Sequence, residues 1–126
     1  MNVKVDPTFN FNYHRLFYFD NLFAVPAKFV IEPERSVTAY KTWDTVLQCD
    51  IFGYPYPVIT WTRSGRQLPI NRHVINGSEL TIQNTIEDDD GPYVCHGTNR
   101  LANVMRVVWV FVKVVGELRK KKQKQE

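Results

Sequence analysis

The side chains that most often perform catalysis are present in this sequence, but they are scattered. Its serines and histidines fall in separate segments, at Ser36, Ser64, Ser78, His14, His73 and His96. A catalytic nucleophile needs a base within hydrogen-bond reach and a third group that orients the base. None of these segments has that context, so the sequence predicts no catalytic residue and no enzyme.

Three consecutive carboxylates, Asp88, Asp89 and Asp90, are the residues most similar to a metal site. Calcium takes six to eight oxygen ligands, and three adjacent side chains cannot all point at one ion. A solvated turn is the better interpretation of this triplet. We therefore expect no metal site and no cofactor.

The acidic triplet leads into a motif that explains it better than metal binding does. Gly91 suits a turn, and Tyr93 and Cys95 share one face of the strand that follows, because side chains alternate along a strand. Cys49 precedes Cys95 by 46 residues, and Trp61 follows Cys49 by 12 residues.

This cysteine, tryptophan and tyrosine–cysteine series resembles the immunoglobulin sandwich. In detail, residues 27–115 are similar to the I-set domains of cell-adhesion molecules, receptor ectodomains and matrix proteins, in the runs KFVIEP, GYPYPVITW, GRQLP, ELTIQN and DDGPYVC followed by GTN. The resemblance implies an all-β, immunoglobulin-like β-sandwich of two antiparallel sheets with Greek-key connections. The sequence departs from the family at Pro92, where a residue with a backbone N–H is usual, and at Gly97, where alanine is usual.

The resemblance also implies roles for individual residues. It implies an inter-sheet disulfide between Cys49 and Cys95 and a structural salt bridge between Arg72 and Asp89. The core residues that it implies are Leu47, Trp61, Leu80 and Tyr93, with Trp61 packed on the disulfide. The alternative for the cysteines is a pair of buried thiols, as in cytoplasmic muscle relatives of this fold.

Two features predict an extracellular or cell-surface location, in a secreted protein or in the ectodomain of a longer one. A disulfide needs an oxidising compartment to persist. The triplet Asn76-Gly77-Ser78 is an acceptor for N-linked glycosylation at an expected surface turn.

The two ends of the chain do not fit the sandwich pattern. Residues 1–26 form an aromatic-rich extension that imitates a secretion signal, but Asp20 and Asn21 interrupt its apolar run. The extension is then a degenerate signal or a leader of unclear origin, or the chain is a piece of a longer protein. Residues 116–126 form a basic tail that we expect to be disordered.

The formal net charge of +3 lies in this tail, because the rest of the chain is neutral. A neutral body argues against nucleic-acid binding. The tail itself is a candidate for weak, salt-sensitive binding of glycosaminoglycans. The longest apolar run, residues 107–112, is too short to span a membrane, so we predict no transmembrane segment.

Alternation of apolar and polar residues, together with the family pattern, predicts the strands. The expected ranges are 28–33, 36–40, 45–52, 58–63, 67–68, 72–75, 79–84, 93–98 and 104–115. The range 36–40 is expected to continue the first strand on the other sheet. The short range between the cysteines leaves no room for the additional strand of variable-type domains.

The best candidate for function is the outward surface of ranges 58–63, 93–98 and 104–115, the family's strands C, F and G. We name it the C–F–G face; its partner-binding candidates are Val58, Thr60, Val94, His96, Met105, Trp109 and Phe111. The last strand is apolar on both sides, so alternation does not decide whether Trp109 and Phe111, or instead Val108, Val110 and Val112, point outward. The alternative to a partner is that the N-terminal aromatic segment covers this face, or that a bulge turns more residues inward.

Function by resemblance is therefore protein–protein recognition or cell adhesion, homophilic or heterophilic, as a module of a longer extracellular protein. One alternative is a structural spacer in an intracellular cytoskeletal or sarcomeric protein, which predicts free thiols. Another is an accessory domain of a receptor kinase or matrix peroxidase, whose chemistry lies outside this chain.

Overall fold

The structure of the protein is a computed structural model that describes residues 22–115. The whole of the predicted sandwich, residues 27–115, lies within this range. Most of the predicted N-terminal extension and the whole basic tail lie outside the described residues. Their assignments, including glycosaminoglycan binding by the tail, therefore stay predictions.

The described part of the chain is built from short strands, as predicted from the sequence, with one 3₁₀ turn at Glu87–Asp89. The strands in chain order are β1 (Val25–Phe29), β2 (Ser36–Tyr40), β3 (Thr45–Gln48), β4 (Ile51–Tyr54), β5 (Val58–Arg63), β6 (His73–Asn76), β7 (Glu79–Ile82), β8 (Gly91–Thr98) and β9 (Asn103–Lys113).

One layer of the sandwich is a four-stranded sheet in the order β2-β9-β8-β5. The β5–β8 and β8–β9 pairs are antiparallel, whereas β2 lies parallel to β9. The predicted range 36–40 thus joins the sheet opposite β1, as expected. The parallel pair is the one exception, among these strands, to the expected antiparallel arrangement.

The other layer contains the antiparallel sheets β3-β7-β6 and β1-β4. Only Cys49 and Asp50 separate β3 from β4 along the chain. The backbone N–H of Val30 donates to the carbonyl of Asp50 at 2.9 Å, which extends the β1–β4 pairing to this break. The two small sheets therefore act as one layer that faces the four-stranded sheet.

The space between the layers is filled by the inward residues of each strand. Leu47, Leu80 and Tyr93 are fully buried, and Trp61 is nearly so. They belong to one cluster with Cys49, Cys95, Ala39, Ile82, Val108 and Val110. Burial of such side chains stabilises the fold by about 1.5–3 kcal/mol each, before the entropy cost of ordering the chain.

The predicted range 67–68 is not a strand. An isolated bridge between Arg63 and Arg66 is what remains of the expected hairpin, since Gly65 turns the chain with a φ of 73°. Leu68 then packs against the core and Pro69 is buried. This segment does not extend the sheet, because it turns inward and its proline has no N–H to donate.

Other strands differ from the prediction in their limits. The first strand begins at Val25 and ends at Phe29, so Val25 and Pro26 belong to β1 rather than to the extension. The predicted single strand 45–52 is two strands, because its first half pairs with β7 and its second half with β1. The strand β8 begins at Gly91, and Pro92 lies within it in register with Trp109. The last strand ends at Lys113.

Candidate functional site

The three carboxylates of the acidic turn bind three different partners. Asp88 accepts a hydrogen bond from Arg66 at 2.5 Å, and this pair lowers the pKa of Asp88. Asp89 pairs with Arg72, and Asp90 accepts from the backbone N–H of Val112 at 2.8 Å. Residues 22–115 contain no group of three or more histidine, cysteine or acidic side chains arranged to hold a metal ion. The turn is thus a structural element whose carboxylates are already engaged.

The Arg72–Asp89 ion pair closes one end of the sandwich. The guanidinium donates to both carboxylate oxygens, at 2.9 and 2.7 Å, and Asp89 is buried. The hydrogen bond to Asp89 raises the pKa of Arg72. The Tyr93 hydroxyl donates to the Asp89 carbonyl at 2.8 Å. Burial raises the pKa of Tyr93 to about 12.

The two cysteines form the inter-sheet disulfide. Cys49 and Cys95 are fully buried, with their Cα atoms 6.4 Å apart. Trp61 lies directly opposite Cys95 in the β5–β8 register, and its indole N–H donates to the Ser78 carbonyl at 3.0 Å. The disulfide and the indole together join both layers and the β6–β7 turn.

The packing of β9 decides which of its apolar residues point outward. Val108 and Val110 are buried between the layers, whereas Trp109 is 48% exposed and Phe111 is 47% exposed. Met105, on the same side of the strand, is 62% exposed. The sequence left open which set of β9 residues points outward. In the structure it is the set that contains Trp109 and Phe111.

The remaining candidates of the C–F–G face lie in rows across the three strands. Thr60, His96 and Met105 are neighbours in one row, because Thr60 pairs with His96 and His96 with Met105. Thr62, Val94 and Val107 form the next row, and Val58 begins the row at the far end. Val58 and Thr60 are exposed, and Val94 and His96 are half-buried. The fold thus places all seven candidates on one surface.

The two aromatic rings of β9 form the most prominent part of this face. The centroids of Trp109 and Phe111 are 6.5 Å apart, with an interplanar angle of 16°. In the register, Pro92 lies on one side of Trp109 and Ser36 on the other. The rings therefore form a continuous apolar ridge along the strand.

The C–F–G face carries almost no charge. Among the outward residues of β2, β5, β8 and β9, all within the described range, Lys113 is the one with a permanent charge. The others are apolar or hydroxyl-bearing side chains, with His96 near the centre. Sequence reasoning missed the contribution of Ser36, Thr38 and Tyr40, because the position of β2 beside β9 is a result of tertiary pairing.

The glycosylation candidate lies on the opposite layer. Asn76 is exposed at the end of β6, and Gly77 and Ser78 form the tight turn to β7. The hydroxyl of Ser78 donates to a carboxylate oxygen of Asp50 at 2.9 Å. A glycan at Asn76 would therefore leave the C–F–G face uncovered.

Comparison with known proteins identifies the family. A model described as an immunoglobulin domain matches residues 26–99. The chain therefore belongs to the immunoglobulin superfamily, in agreement with the disulfide, the buried tryptophan and the two-layer topology. The narrower I-set assignment stays a prediction.

Several relatives and solved structures are similar to this chain. The human protein "Probable oxidoreductase PXDNL" is 38% identical over 92 residues, which are 71% of this chain and 6% of that protein. The rat "Netrin receptor DCC" is 32% identical over 79 residues, or 60% of this chain and 6% of that protein. The chain thus spans less than a tenth of either relative.

Among solved structures, "Sidekick-1 immunoglobulin domains 1-5" aligns with a TM-score of 0.66 and 27% identity, covering 72% of this chain and 20% of that one. A complex of titin M10 with an obscurin-like immunoglobulin domain aligns with a TM-score of 0.61 and 26% identity. The alignment covers 72% of this chain and 96% of that one. The match to an oxidoreductase involves a small part of that protein, so it carries no evidence of redox chemistry in this chain. None of the helices within residues 22–115 is long and apolar enough to cross a bilayer.

Proposed function

We propose that this chain is a non-enzymatic protein-recognition module, part of a longer extracellular or cell-surface protein, that contacts its partner through the C–F–G face. The observation that carries the proposal is the combination of exposed Met105, Trp109 and Phe111 on a sheet surface with one permanent charge. An exposed apolar surface of this kind marks an interaction site in soluble proteins.

The chemistry of the face fits a protein partner. Tryptophan, phenylalanine and methionine are enriched in interfaces, and charged residues are depleted at interface centres. Covering the exposed half of Trp109 removes apolar area from water, which favours association. Such a residue is suited to act as a binding hot spot, for which truncation costs about 2 kcal/mol or more.

Other residues support the extracellular or cell-surface compartment. The buried disulfide persists in an oxidising environment, and Asn76 is an exposed glycosylation acceptor. A receptor named for netrin is among the relatives, and the titin–obscurin-like structure is named as a complex of two immunoglobulin proteins. These names support recognition as the general role. The accessory-domain alternative remains compatible with the relative named as an oxidoreductase, because its chemistry would lie outside this chain.

Recognition is tested with a tetramer of the full chain, assembled on streptavidin through a biotin at the C-terminus and applied to cells of the source organism. Trp109→Glu should reduce cell binding at least tenfold, because it places a charge at the centre of the contact. Phe52→Glu is the matched control, since Phe52 is 46% exposed on the other layer. Equal binding by the Trp109→Glu and wild-type tetramers would contradict the proposal.

The compartment is tested by the intact mass of the full chain made in a secretory eukaryotic host, with and without reduction and glycosidase treatment. Before reduction we expect a mass lower by two hydrogen atoms, and we expect a glycan on Asn76. Free thiols and no secretion would favour the intracellular spacer.

A further inference from the structure

We propose that residues 8–12 of this chain add a further strand to the four-stranded sheet, antiparallel to the outer edge of β5, with Phe9 and Phe11 facing inward. Residues 8–12 lie outside the described range. The inference goes beyond the proposed function, because it concerns the edge of the sheet and not the C–F–G face. An open strand edge, an adjacent apolar cavity and the alternation of residues 8–13 carry it.

The outer edge of β5 is open for strand pairing. β5 is the last strand of its sheet, and no strand within residues 22–115 pairs with its outer side. The backbone N–H of Ser64 donates to the Pro92 carbonyl of β8 at 3.1 Å, so every second residue before Ser64 also directs its backbone groups toward β8. The backbone groups of Ile59 and Trp61 therefore point to the outer side. An edge of this kind is a template for another strand.

The sequence of β5 does not protect this edge. Residues 58–62 contain no charged residue and no proline, which are the usual protections of an edge strand. The predicted strand at residues 67–68, which would have paired here, turns inward instead. The edge therefore fits an occupant that supplies its own extended backbone.

An apolar cavity lies beside the same edge, between β5 and β4. Its volume is about 580 Å³, and its lining consists chiefly of Ile51, Phe52, Pro57, Ile59 and the β6–β7 turn. The carboxylate of Asp50, also in the lining, accepts a hydrogen bond from the Ser78 hydroxyl at 2.9 Å. Paired residues face the same side of a sheet. The inward side chains of a strand added to β5 would thus enter this cavity.

The segment before the sandwich has the pattern of such a strand. Residues 8–13, Thr-Phe-Asn-Phe-Asn-Tyr, alternate polar and aromatic side chains over six positions. Strict alternation of this kind predicts a strand with one buried face. With the aromatic side chains in the cavity, the threonine and the asparagines face outward.

The chain enters the sandwich at the end where β5 begins. The amide nitrogen of Asn99 donates to the carbonyls of Val25 and Pro55, at 2.8 and 3.2 Å, so the start of β1 and the turn before β5 are adjacent. Residues 13–24 connect the segment to β1 and reach about 40 Å when extended, which is enough to close the connection. Because β5 runs away from this end, a strand that leads into the connection runs toward it. The pair is therefore antiparallel.

Pro7 selects the register. The carbonyl of Arg63 accepts a hydrogen bond from the backbone N–H of Arg66 at 3.4 Å, so the outer edge of β5 is already occupied at this residue. A proline opposite Arg63 leaves no donor unpaired, because it has no N–H. We therefore place Pro7 opposite Arg63 and begin the added strand at the next residue.

This register uses the free backbone groups of β5. Its pairs are Thr8–Thr62, Phe9–Trp61, Asn10–Thr60 and Phe11–Ile59. The pairs that contain phenylalanine exchange backbone hydrogen bonds, because their β5 partners point to the outer side. The other two pairs face outward with uncharged polar side chains. β9 lies three strand spacings away, about 14 Å, so the aromatic ridge of the C–F–G face stays uncovered.

The first test is an engineered disulfide in the full chain, between Asn10→Cys and Thr60→Cys. Opposite residues of a pair without hydrogen bonds have Cα atoms about 4.5 Å apart, which a disulfide can span. We expect most molecules to form this intrachain link under mild oxidation, as measured by mass spectrometry of the joined peptides. Asn10→Cys with Thr38→Cys is the matched control, since Thr38 is exposed on β2 at the opposite edge, and it should stay mostly reduced. Equal linking of both pairs, or links between separate chains, would overturn the proposal.

Amide hydrogen exchange of the full chain, measured by NMR, tests the strand without added cysteines. Phe11→Pro removes a donor of the added ladder and should speed exchange of the Ile59 and Trp61 amides at least tenfold. Phe17→Pro makes the same change outside the paired segment and should leave both rates unchanged. Equal exchange in the wild type and in Phe11→Pro would overturn the added strand. Protection that appears only at high protein concentration would also overturn it, in favour of a strand from a second copy.

Discussion

Gly97 stands where the family usually has alanine, and Ile51 gives the physical reason. A Cβ atom on Gly97 would lie 2.2 Å from Cδ1 of Ile51 and 3.2 Å from its Cγ2. Ile51 is packed against the core, so its terminal methyl occupies the volume that an alanine side chain would need. Ile51 of β4 thus fills the space that an alanine side chain on β8 would need.

We predict that Gly97→Ala lowers the free energy of unfolding by about 1–3 kcal/mol through overpacking. Adding Ile51→Val, which deletes Cδ1, should recover at least part of this loss, since the two changes act on one contact. Denaturant unfolding of the two single variants and the double variant measures the coupling. Strictly additive free energies would show that the two side chains do not compete for this space.

Tyr93 makes the stability of the fold depend on pH in the alkaline range. Burial raises its pKa to about 12, whereas an unfolded tyrosine titrates near 10. Above pH 10 the unfolded chain loses the phenolic proton more readily than the folded chain, so the stability that this group contributes is complete below pH 10 and is lost as pH rises towards 12.

For the wild type we expect the Tyr93 contribution to fall by about 2–3 kcal/mol between pH 10 and 12. Tyr93→Phe should remove that part of the pH dependence, and it should lower stability at neutral pH by about 1–2 kcal/mol, because the hydrogen bond to the Asp89 carbonyl is lost. Denaturant unfolding of both proteins across this range gives the difference. Parallel profiles for the two proteins would contradict the assignment.

At the scale of elements, the strands with a clear alternation were predictable and the others were not. The range of β5 agrees with the prediction, because Trp61 and its neighbours alternate between core and solvent. The run of β9 is apolar on both sides, so its sequence does not show which residues point inward; burial in the core cluster assigns Val108 and Val110 to the inside. The break between β3 and β4 reflects a change of partner strand, which local sequence does not encode.

Asn99 is the side chain that attaches β1 to the rest of the sandwich. Its amide nitrogen donates to the Val25 carbonyl at 2.8 Å, and its amide oxygen accepts from the backbone N–H of Ala27 at 3.3 Å. The same oxygen accepts from Leu101 and Ala102 in the turn before β9. One amide therefore fixes both the entry of the chain and the β8–β9 turn.

We predict that Asn99→Ala lowers the free energy of unfolding by about 2–4 kcal/mol and selectively speeds amide hydrogen exchange in β1. Asn103→Ala is the matched control, since Asn103 is an exposed amide at the start of β9. Protection in β1 that equals that of the wild type would show that pairing with β4 alone holds this strand.

At the scale of the whole molecule, the sequence predicted the sandwich and the C–F–G face. It did not predict which side chains β2 adds to that face. The family motif identifies β5, β8 and β9 as neighbours, and alternation then assigns Thr60 and His96 to the outside. The pairing of β2 with β9 adds further uncharged side chains, because Ser36 and Thr38 extend the face past Trp109 and Phe111. Long-range pairing of this kind has no local signal in the sequence.

The most direct test of the central claim is oxidative footprinting of the full chain, free and as a cell-bound tetramer, with mass spectrometry of individual residues. We predict that oxidation of Met105 and Trp109 falls several-fold in the bound state, because the C–F–G face is covered. Trp43 is the internal reference, since it is exposed in the turn between β2 and β3. Unchanged oxidation of Met105 and Trp109 in the bound protein would contradict the claim that this face is the recognition site.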